Sequence, residues 1–389
     1  MLQLAELKDE IRALKRATIA RQRRRELETS AALDWLADAP DAPTLRQSVK
    51  QQGDPQESYA LPATDDKPLN QRFQPPGPPP RGTTVVAVDG SQIRPDRHAA
   101  ILYYLLQVGG MIFSYDGQAP RTQSESSLHF KPSELYDERS QIITGQLGQR
   151  RTVSELEYLA QLTAQARSAG APSPLLALTD GPLLWPYSGR SEEETRQLLP
   201  AYFAALDSLQ QSNGMPVGFV ERPGGRQLVN LLRLTRPHAG AAADSAAQSS
   251  SDWLTDRELL THFLQPGERS IWFQRASAMN QRHARRGHAI WFSYLNVGTE
   301  TWPVIARLET PSWAAQHATW NKTLHQVLLH QARVLHGHPY VLARAHELAL
   351  VTHQDQAALN NLLQQQLAAA GIMVHASVKA EQKAYFGRK

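Results

Sequence analysis

Two aspartates stand at matching places in the chain. In "VVAVDGSQI" (85–93) an apolar, β-branched run leads into Asp89-Gly90, and in "LLALTDGPLLW" (175–185) a second leads into Asp180-Gly181. In an α/β sheet, side chains at the C-terminal ends of neighbouring strands converge on the crevice where ligands bind. Two carboxylates brought together there repel unless one is protonated or a cation lies between them. A hard divalent ion held by oxygen, Mg²⁺ or Mn²⁺, resolves that cost most simply. The glycines after each Asp would let backbone or substrate approach closely. Each stretch taken singly also fits an ordinary Asp-Gly turn after a strand. The helical stretch between them, "RTVSELEYLAQL" (151–162), offers Glu155 and Glu157 as a third ligand. A separation of two puts these on different helix faces, and Val153, Leu156, Leu159 and Leu162 mark the buried side with neither carboxylate at its centre. That pattern does not choose between them. His346, in the otherwise apolar "PYVLARAHELALV" (339–351), supplies an imidazole. A helical His is equally compatible with a core boundary; as a ligand it suits Mn²⁺ better than Mg²⁺.

The elements that must position these residues follow an α/β order. Residues 1 to about 36 read as one long helix, and 51–82, polar and proline-rich, read as an extended linker. The compact domain then starts at about Thr83. "TTVVAVD" is a buried-strand pattern, and "AAILYYLLQVGGMIFSYDG" reads as a β-hairpin turning at Gly109-Gly110. A helix over 151–170, the strand "PLLALTD", a helix ending at "QQSNG" and the strand "MPVGFVERP" follow. The low-complexity stretch 238–252 reads as a mobile insertion. Three strand-like runs, "RSIWFQR", "HAIWFSYLNVG" and "PVIARLE", precede three helices and a last strand, "IMVHAS". The expected division is an N-terminal helical extension (1–50), a proline-rich linker (51–82) and one α/β domain (83–389). Its mixed sheet is flanked by helices, with a helical C-terminal region.

Composition sets limits on the chemistry. The chain has 389 residues, 41% of them hydrophobic and 20% charged, which suits a globular fold with a sizeable core. No apolar run approaches the roughly 20 residues needed to cross a bilayer, so a cytoplasmic location and no membrane partner are the default expectation. With no cysteine in the sequence, thiolate metal sites and thiol nucleophiles are excluded. No HExxH, GxxxxGK[ST] or GxSxG pattern occurs, so the chain does not itself read as a zincin, a P-loop ATPase or an α/β-hydrolase. Net charge is +4, yet "IRALKRATIARQRRR" (11–25) gathers seven Lys and Arg with no acid. Such a stripe suits a phosphate backbone, a partner surface or a solvated helix face.

Taken in order, "VVAVDGSQIRPDRH", "RTVSELEYLAQL", "LLALTDGPLLW", "VGFVERPGGRQLVNLL", "PVIARLETPSWA", "HPYVLARAHELALVT" and "SVKAEQK" resemble the NurA nuclease family, in its bacterial branch. The resemblance spans roughly residues 83–385. It implies an RNase H-like fold and a Mn²⁺-dependent deoxyribonuclease that degrades DNA from 5′ ends, with possible single-strand endonuclease activity. It further implies a toroidal homodimer acting with the hexameric ATPase translocase HerA in DNA end resection and break repair by homologous recombination. Carried onto this sequence, the metal and catalytic set is Asp89, Glu155, Asp180 and His346. Glu155 is taken because the family's R-x-x-x-E pattern falls on Arg151 to Glu155, and Tyr340 matches a tyrosine that precedes the family's histidine. Two Asp, one Glu and one His would hold one or two Mn²⁺, with Mg²⁺ as the other candidate. Arg94 and Arg97, Arg222 and Arg226 around Gly224-Gly225, and Lys379 and Lys383 are the candidate DNA contacts. Glu309 reads as a structural ion pair with Arg307. Two other classes fit the same residues. One is a catalytically silent DNA clamp or adaptor for the ATPase, which would need none of the four ligands. The other is an RNase H-like nuclease on another nucleic acid, such as structured RNA or a recombination junction.

Overall fold

The computed structural model describes residues 7–54, 57–97, 99, 101–136, 142–143, 146–185, 192–235 and 254–372. The chain forms two compact units, Met1–Pro78 with Phe219–Gly337, and Pro79–Gly218 with His338–Lys389. The first unit opens with α1 (Lys8–Ala37), α2 (Ala42–Gln52), β1 (Ala60–Pro62) and β2 (Arg72–Phe73). The second unit then holds β3 (Thr84–Ile93), β4 (Tyr104–Ser114), β5 (Arg121–His129), α3 (Pro132–Leu135), α4 (Leu147–Ser168), β6 (Leu175–Asp180) and α5 (Glu192–Gln211), and most of β7 (Gly214–Val220). The first unit resumes with α6 (Gln227–Thr235), α7 (Asp256–Phe263), β8 (Arg269–Ser270), β9 (Phe273–Arg275), α8 (Ala278–Arg285), β10 (Ile290–Asn296), β11 (Ile305–Pro311), α9 (Ser312–Ala315) and α10 (Ala318–Val334). Helices α11 (Tyr340–Ala349) and α12 (His353–Ala369) return to the second. No described helix is long and apolar enough to cross a membrane.

In the second unit the strands lie in the order β7–β6–β3–β4–β5. β3, β4 and β5 form an antiparallel meander, and β6 joins β3 in parallel after the α4 crossover. This is the mixed sheet flanked by helices that the sequence leads one to expect. β3 and β6 read as continuous apolar runs because helices cover the sheet, and their residues up to Val88 and Thr179 are all buried. Helix α4 lays Val153, Leu156, Leu159 and Leu162 on the sheet at helical spacing.

One local expectation fails here and one strand goes unforeseen, each for an identifiable reason. Gly109-Gly110 does not turn the chain; β4 runs through it as one strand. A Cβ on Gly109 would fall 2.5 Å from the Ala349 nitrogen of α11, and one on Gly110 would fall 2.3 Å from Leu162 Cδ1 of α4. Successive strand residues face opposite sides of a sheet, so the pair admits one helix on each face. β5, "RTQSESSLH", has no apolar signature because nearly all of it is exposed. It is a polar edge strand of the kind that discourages further pairing.

In the first unit β1, β9, β10 and β11 are neighbours in that order, and β8 bridges β2 and β10. The 51–82 stretch, which its prolines mark as a linker, supplies β1 and β2 and packs Tyr59, Ala60 and Leu69 into a core with Leu228, Leu259, Phe273 and Phe292. Prolines favour extended backbone, and a short strand of such a chain still pairs where its free groups face a neighbour. Helix α1 is as long as expected; Thr29, Ala32 and Leu36 at its end are buried, while the basic 11–25 stretch is exposed. The insertion 238–252 and nearly all of "IMVHAS" lie outside the described residues.

Candidate active site

β3 and β6 pair in parallel register from Thr84↔Leu175 to Val88↔Thr179. The next residue on each strand is an aspartate. Asp89 and Asp180 therefore stand side by side where the pairing ends, on strands spaced about 4.8 Å apart. β3 does not stop there; it continues to Ile93 against β4. The Asp89-Gly90 step is thus not a turn. Gly181, after the other aspartate, does turn: its φ of +110° is a conformation that side-chain-bearing residues avoid.

The two remaining candidates arrive from opposite faces of the sheet. Glu155 lies over Gly90, where a Cβ would fall 2.6 Å from Glu155 Oε1. The missing side chain at 90 is what lets the carboxylate reach the strand. His346 comes from α11, whose backbone rests on Gly109, the residue paired with Asp89. The Ser91 hydroxyl donates to the Ala349 carbonyl and ties the end of that helix to β3. His346 Nδ1 then stands 2.6 Å from Asp89 Oδ2, while Asp89 Oδ1 accepts from the Gly90 N–H at 2.8 Å. Asp89 and Glu155 are buried; Asp180 is exposed, and the His346 side chain is 60% exposed.

The electrostatics report the same convergence. Burial pushes the Glu155 carboxyl up from the ordinary 4.5 to about 8, and the Asp89 and Asp180 charges push the same way. Arg151, one helical turn before it at 3.0 Å, works against both and does not cancel them. A cavity of about 390 Å³ opens beside this carboxylate, lined by Arg151, Glu155, Thr179, Asp180 and Tyr202. Neither Asp89 nor His346 lines it. Among the described residues no three His, Asp or Glu side chains already surround one point at metal-ligand spacing.

A family model for the NurA domain matches residues 83–351, well over half of the chain. The chain belongs to the NurA family. Its members are nucleases. Two solved structures are similar to it: "Crystal structure of NurA", at 10% identity and a TM-score of 0.42, and "Crystal structure of NurA with manganese", at 11% and 0.39. Each comparison covers 75% of this chain and 90% of the other. No curated protein matches the sequence significantly.

The candidate residues of the sequence divide by their place in the structure. Asp89, Glu155, Asp180 and His346 come together in the second unit, from four different elements. Of the two glutamates left open by periodicity, Glu155 is buried toward the aspartates and Glu157 is exposed. Arg94 and Arg97 are exposed in that same unit, just past the end of β3. Arg222 and Arg226 belong to the first unit, Arg222 exposed and Arg226 half-buried, and Lys379 and Lys383 lie outside the described residues. Tyr340 is six residues before His346 on α11, which turns it roughly 240° around the helix axis from the imidazole. Arg151, which in the sequence serves only to place Glu155, is itself a participant, paired with that carboxylate at 3.0 Å. Its signal was present as a basic residue four positions before an acid on one helix. Glu309 and Arg307 pair at 2.6 Å in the first unit, both buried, as a structural ion pair.

Proposed function

We propose that this NurA-family chain is a metal-dependent deoxyribonuclease, a 5′-to-3′ exonuclease with single-strand endonuclease activity. It would work as a homodimer with a HerA-type hexameric ATPase in cytoplasmic DNA end resection and double-strand-break repair. The supporting observation is the gathering of three carboxylates and one imidazole at the end of the β3–β6 pair, with Glu155 raised by burial and by both aspartates. This donor set fits a divalent ion: three oxygen ligands and one nitrogen suit Mn²⁺, and Mg²⁺ less well. Asp89, Glu155, Asp180 and His346 are the residues that would hold it. A bound divalent ion supplies Lewis acidity toward water and the phosphodiester.

The chain's own residues do the rest. Asp89 fixes the His346 ring through Nδ1 and leaves the other ring nitrogen to face outward. Burial and both aspartates hold the Glu155 carboxyl up at about 8, and a divalent ion held there would favour its ionised form. Arg151 keeps the Glu155 carboxyl over Gly90. Arg94 and Arg97 hold the phosphate backbone, fixing position without reading sequence.

Labelled blunt, tailed and single-stranded DNA, with RNA and junction substrates alongside, tests the reading in Mn²⁺, in Mg²⁺ and in EDTA. The expected result is Mn²⁺-dependent shortening of DNA from 5′ ends, absent in Asp89→Ala. An Asp89→Ala protein that cuts at the wild-type rate overturns the assignment, and cleavage confined to RNA or junctions moves it to another substrate. Co-purification with a HerA-type ATPase, and sedimentation of the chain as a dimer, test the partnership.

A further inference from the structure

Helix α1 reaches well beyond the part of it that the first unit holds. Its end is anchored: Thr29, Ala32 and Leu36 are buried, Glu28 accepts from Arg233 of α6 at 3.4 Å, and Arg25 pairs with Glu258 of α7 at 2.9 Å. Every residue from 7 to 27, by contrast, is exposed. The whole helix precedes the residues matched by the NurA model, so it is no part of that domain.

Around the axis its cations are sorted. At about 100° per residue, Lys8, Arg12, Lys15, Arg16 and Arg23 fall within an arc of roughly 100°. This stripe runs about 22 Å along the helix and lies roughly 120° around it from Arg25, Thr29, Ala32 and Leu36. It is therefore turned away from α6 and α7. Lys8, Lys15, Arg16 and Arg23 pair with no carboxylate among the described residues. Arg12 meets Asp9 at 3.2 Å, with both side chains at least 75% exposed, a pair that contributes little. Acids bound the stripe without entering it: Asp9 stands at its edge, and Glu26, past Arg23, accepts from Gln22 at 3.2 Å.

Such a helix is unfinished by itself. Lys8–Arg12, Arg12–Lys15 and Arg12–Arg16 set like charges three or four positions apart, which opposes helix formation. Nearly six turns that bury nothing gain no packing to offset that repulsion. A polyanion laid along the stripe removes it, and gains further by releasing its own counterions. The exposed apolar residues Leu7, Ile11 and Leu14 lie on the other side of the helix, in line with its buried end. After two turns Arg21 and Arg25 replace them on that side, which disfavours burial in a lipid surface.

We infer that this face of α1 holds the phosphate backbone of DNA without regard to sequence. The inference rests on the proposed function only in taking DNA as the substrate; it requires neither a metal ion nor the four candidate ligands. Arg offers phosphate a planar fork and Lys a point charge, and contacts of this kind set position rather than sequence.

Anisotropy of a fluorescein-labelled duplex, titrated with the full chain in EDTA over a series of salt concentrations, is the test. One variant carries Arg12→Gln, Lys15→Gln, Arg16→Gln and Arg23→Gln, which keeps good helix formers at all four positions. It should lower the slope of log affinity against log salt by about 0.9 for each phosphate lost, roughly 3.6 in all, and weaken binding by about tenfold or more. Arg16→Gln alone should lower the slope by about 0.9, which keeps the test valid should the fourfold variant misfold. A control with the same loss of charge, Lys50→Gln, Arg285→Gln, Lys322→Gln and Arg333→Gln, removes exposed cations of the first unit that lie off α1. It should bind nearly as wild type, and so should Asp89→Ala. An unchanged slope in the α1 variants, or an equal loss in the control, overturns the inference. So does loss of sedimentation with phosphatidylserine vesicles while DNA binding stays intact, which gives the helix to a membrane surface. A chain that shows the α1-dependent slope yet cuts no DNA in Mn²⁺ refutes the nuclease reading alone. Cutting with an unchanged slope refutes this inference alone.

Discussion

Each unit buries acidic groups, and the two units treat them in opposite ways. In the first, Asp256 is fully buried and completely engaged: it accepts from the Leu228 and Val229 N–H groups at 3.0 Å and from the Tyr294 hydroxyl at 2.6 Å. Glu309 is paired with Arg307, which also donates to Gln227 Oε1 and stacks 3.9 Å over Phe292. Burial opposes the Arg307 charge, yet Glu309, Tyr294 and Asp256 hold its pKa above the usual value. In the second unit Glu155 is paired with Arg151 and Asp89 with the exposed His346 imidazole, and Glu155 remains raised to about 8. A network whose acids are all hydrogen-bonded or paired away from any opening fixes a structure. A carboxylate held high by burial and by neighbouring acids beside an open cavity is of the perturbed kind that marks functional sites.

Paired substitutions should separate the two kinds most sharply. Asp256→Ala strips the α6 N-terminus and the Tyr294 hydroxyl of their acceptor, and should cost about 3–5 kcal/mol in denaturant unfolding. Asp89→Ala should abolish nuclease activity at a much smaller cost in unfolding free energy, because the bonds it loses to Gly90 and His346 are offset by removing a buried charge from beside Glu155 and Asp180. Equal destabilisation by the two would end the distinction. Glu155→Gln is the next largest effect, and its sign depends on pH. The folded carboxyl holds its proton up to about 8 and the unfolded one only to 4.5. The folded state therefore binds more protons between those values, and this group's contribution to stability falls as pH rises through that window. Thermal melts of the wild type should show that decline and the variant should not, while added Mn²⁺ should stabilise the wild type more at pH 8.5 than at 5.5.

Smaller effects follow at the surface. Arg94→Ala and Arg97→Ala should each lower the slope of log affinity for DNA against log salt by about 0.9, as measured by anisotropy, if each neutralises one phosphate. Smallest is Arg25→Ala. Arg25 pairs with Glu258 at 2.9 Å, but both side chains are partly exposed, so the loss should stay below about 1 kcal/mol. A larger loss would mean that exposed pairs of the first unit share in its network.

Three of the four candidate ligands were legible because each interrupts an apolar pattern: an acid after an apolar run, twice, and a His within an apolar helix. Glu155 needed the family pattern, since its position on α4 is decided by Gly90, a contact that no helical period reveals. Gly109-Gly110 was misread because a glycine pair between apolar runs signals a turn and a close approach equally well. The atoms that decide between those readings belong to residues 158–162 and 345–349. The 51–82 stretch is extended, as its prolines suggest, but its partners in β8 and β9 lie some 200 residues downstream.

The glycine pair of β4 has a consequence for how such a site can change. Position 109 sets how near α11, and so His346, comes to the sheet, and position 110 does the same for α4, which carries Glu155. The two settings sit on adjacent codons yet act on opposite faces, so each ligand can be advanced or withdrawn without moving the other. A methyl group at 109 would meet the α11 backbone at 2.5 Å and force that helix outward, whereas one at 110 would first meet the flexible end of the Leu162 side chain. The placement of His346 beside Asp89 is therefore adjustable by a single step of mutation, at a residue that is none of the four candidate ligands.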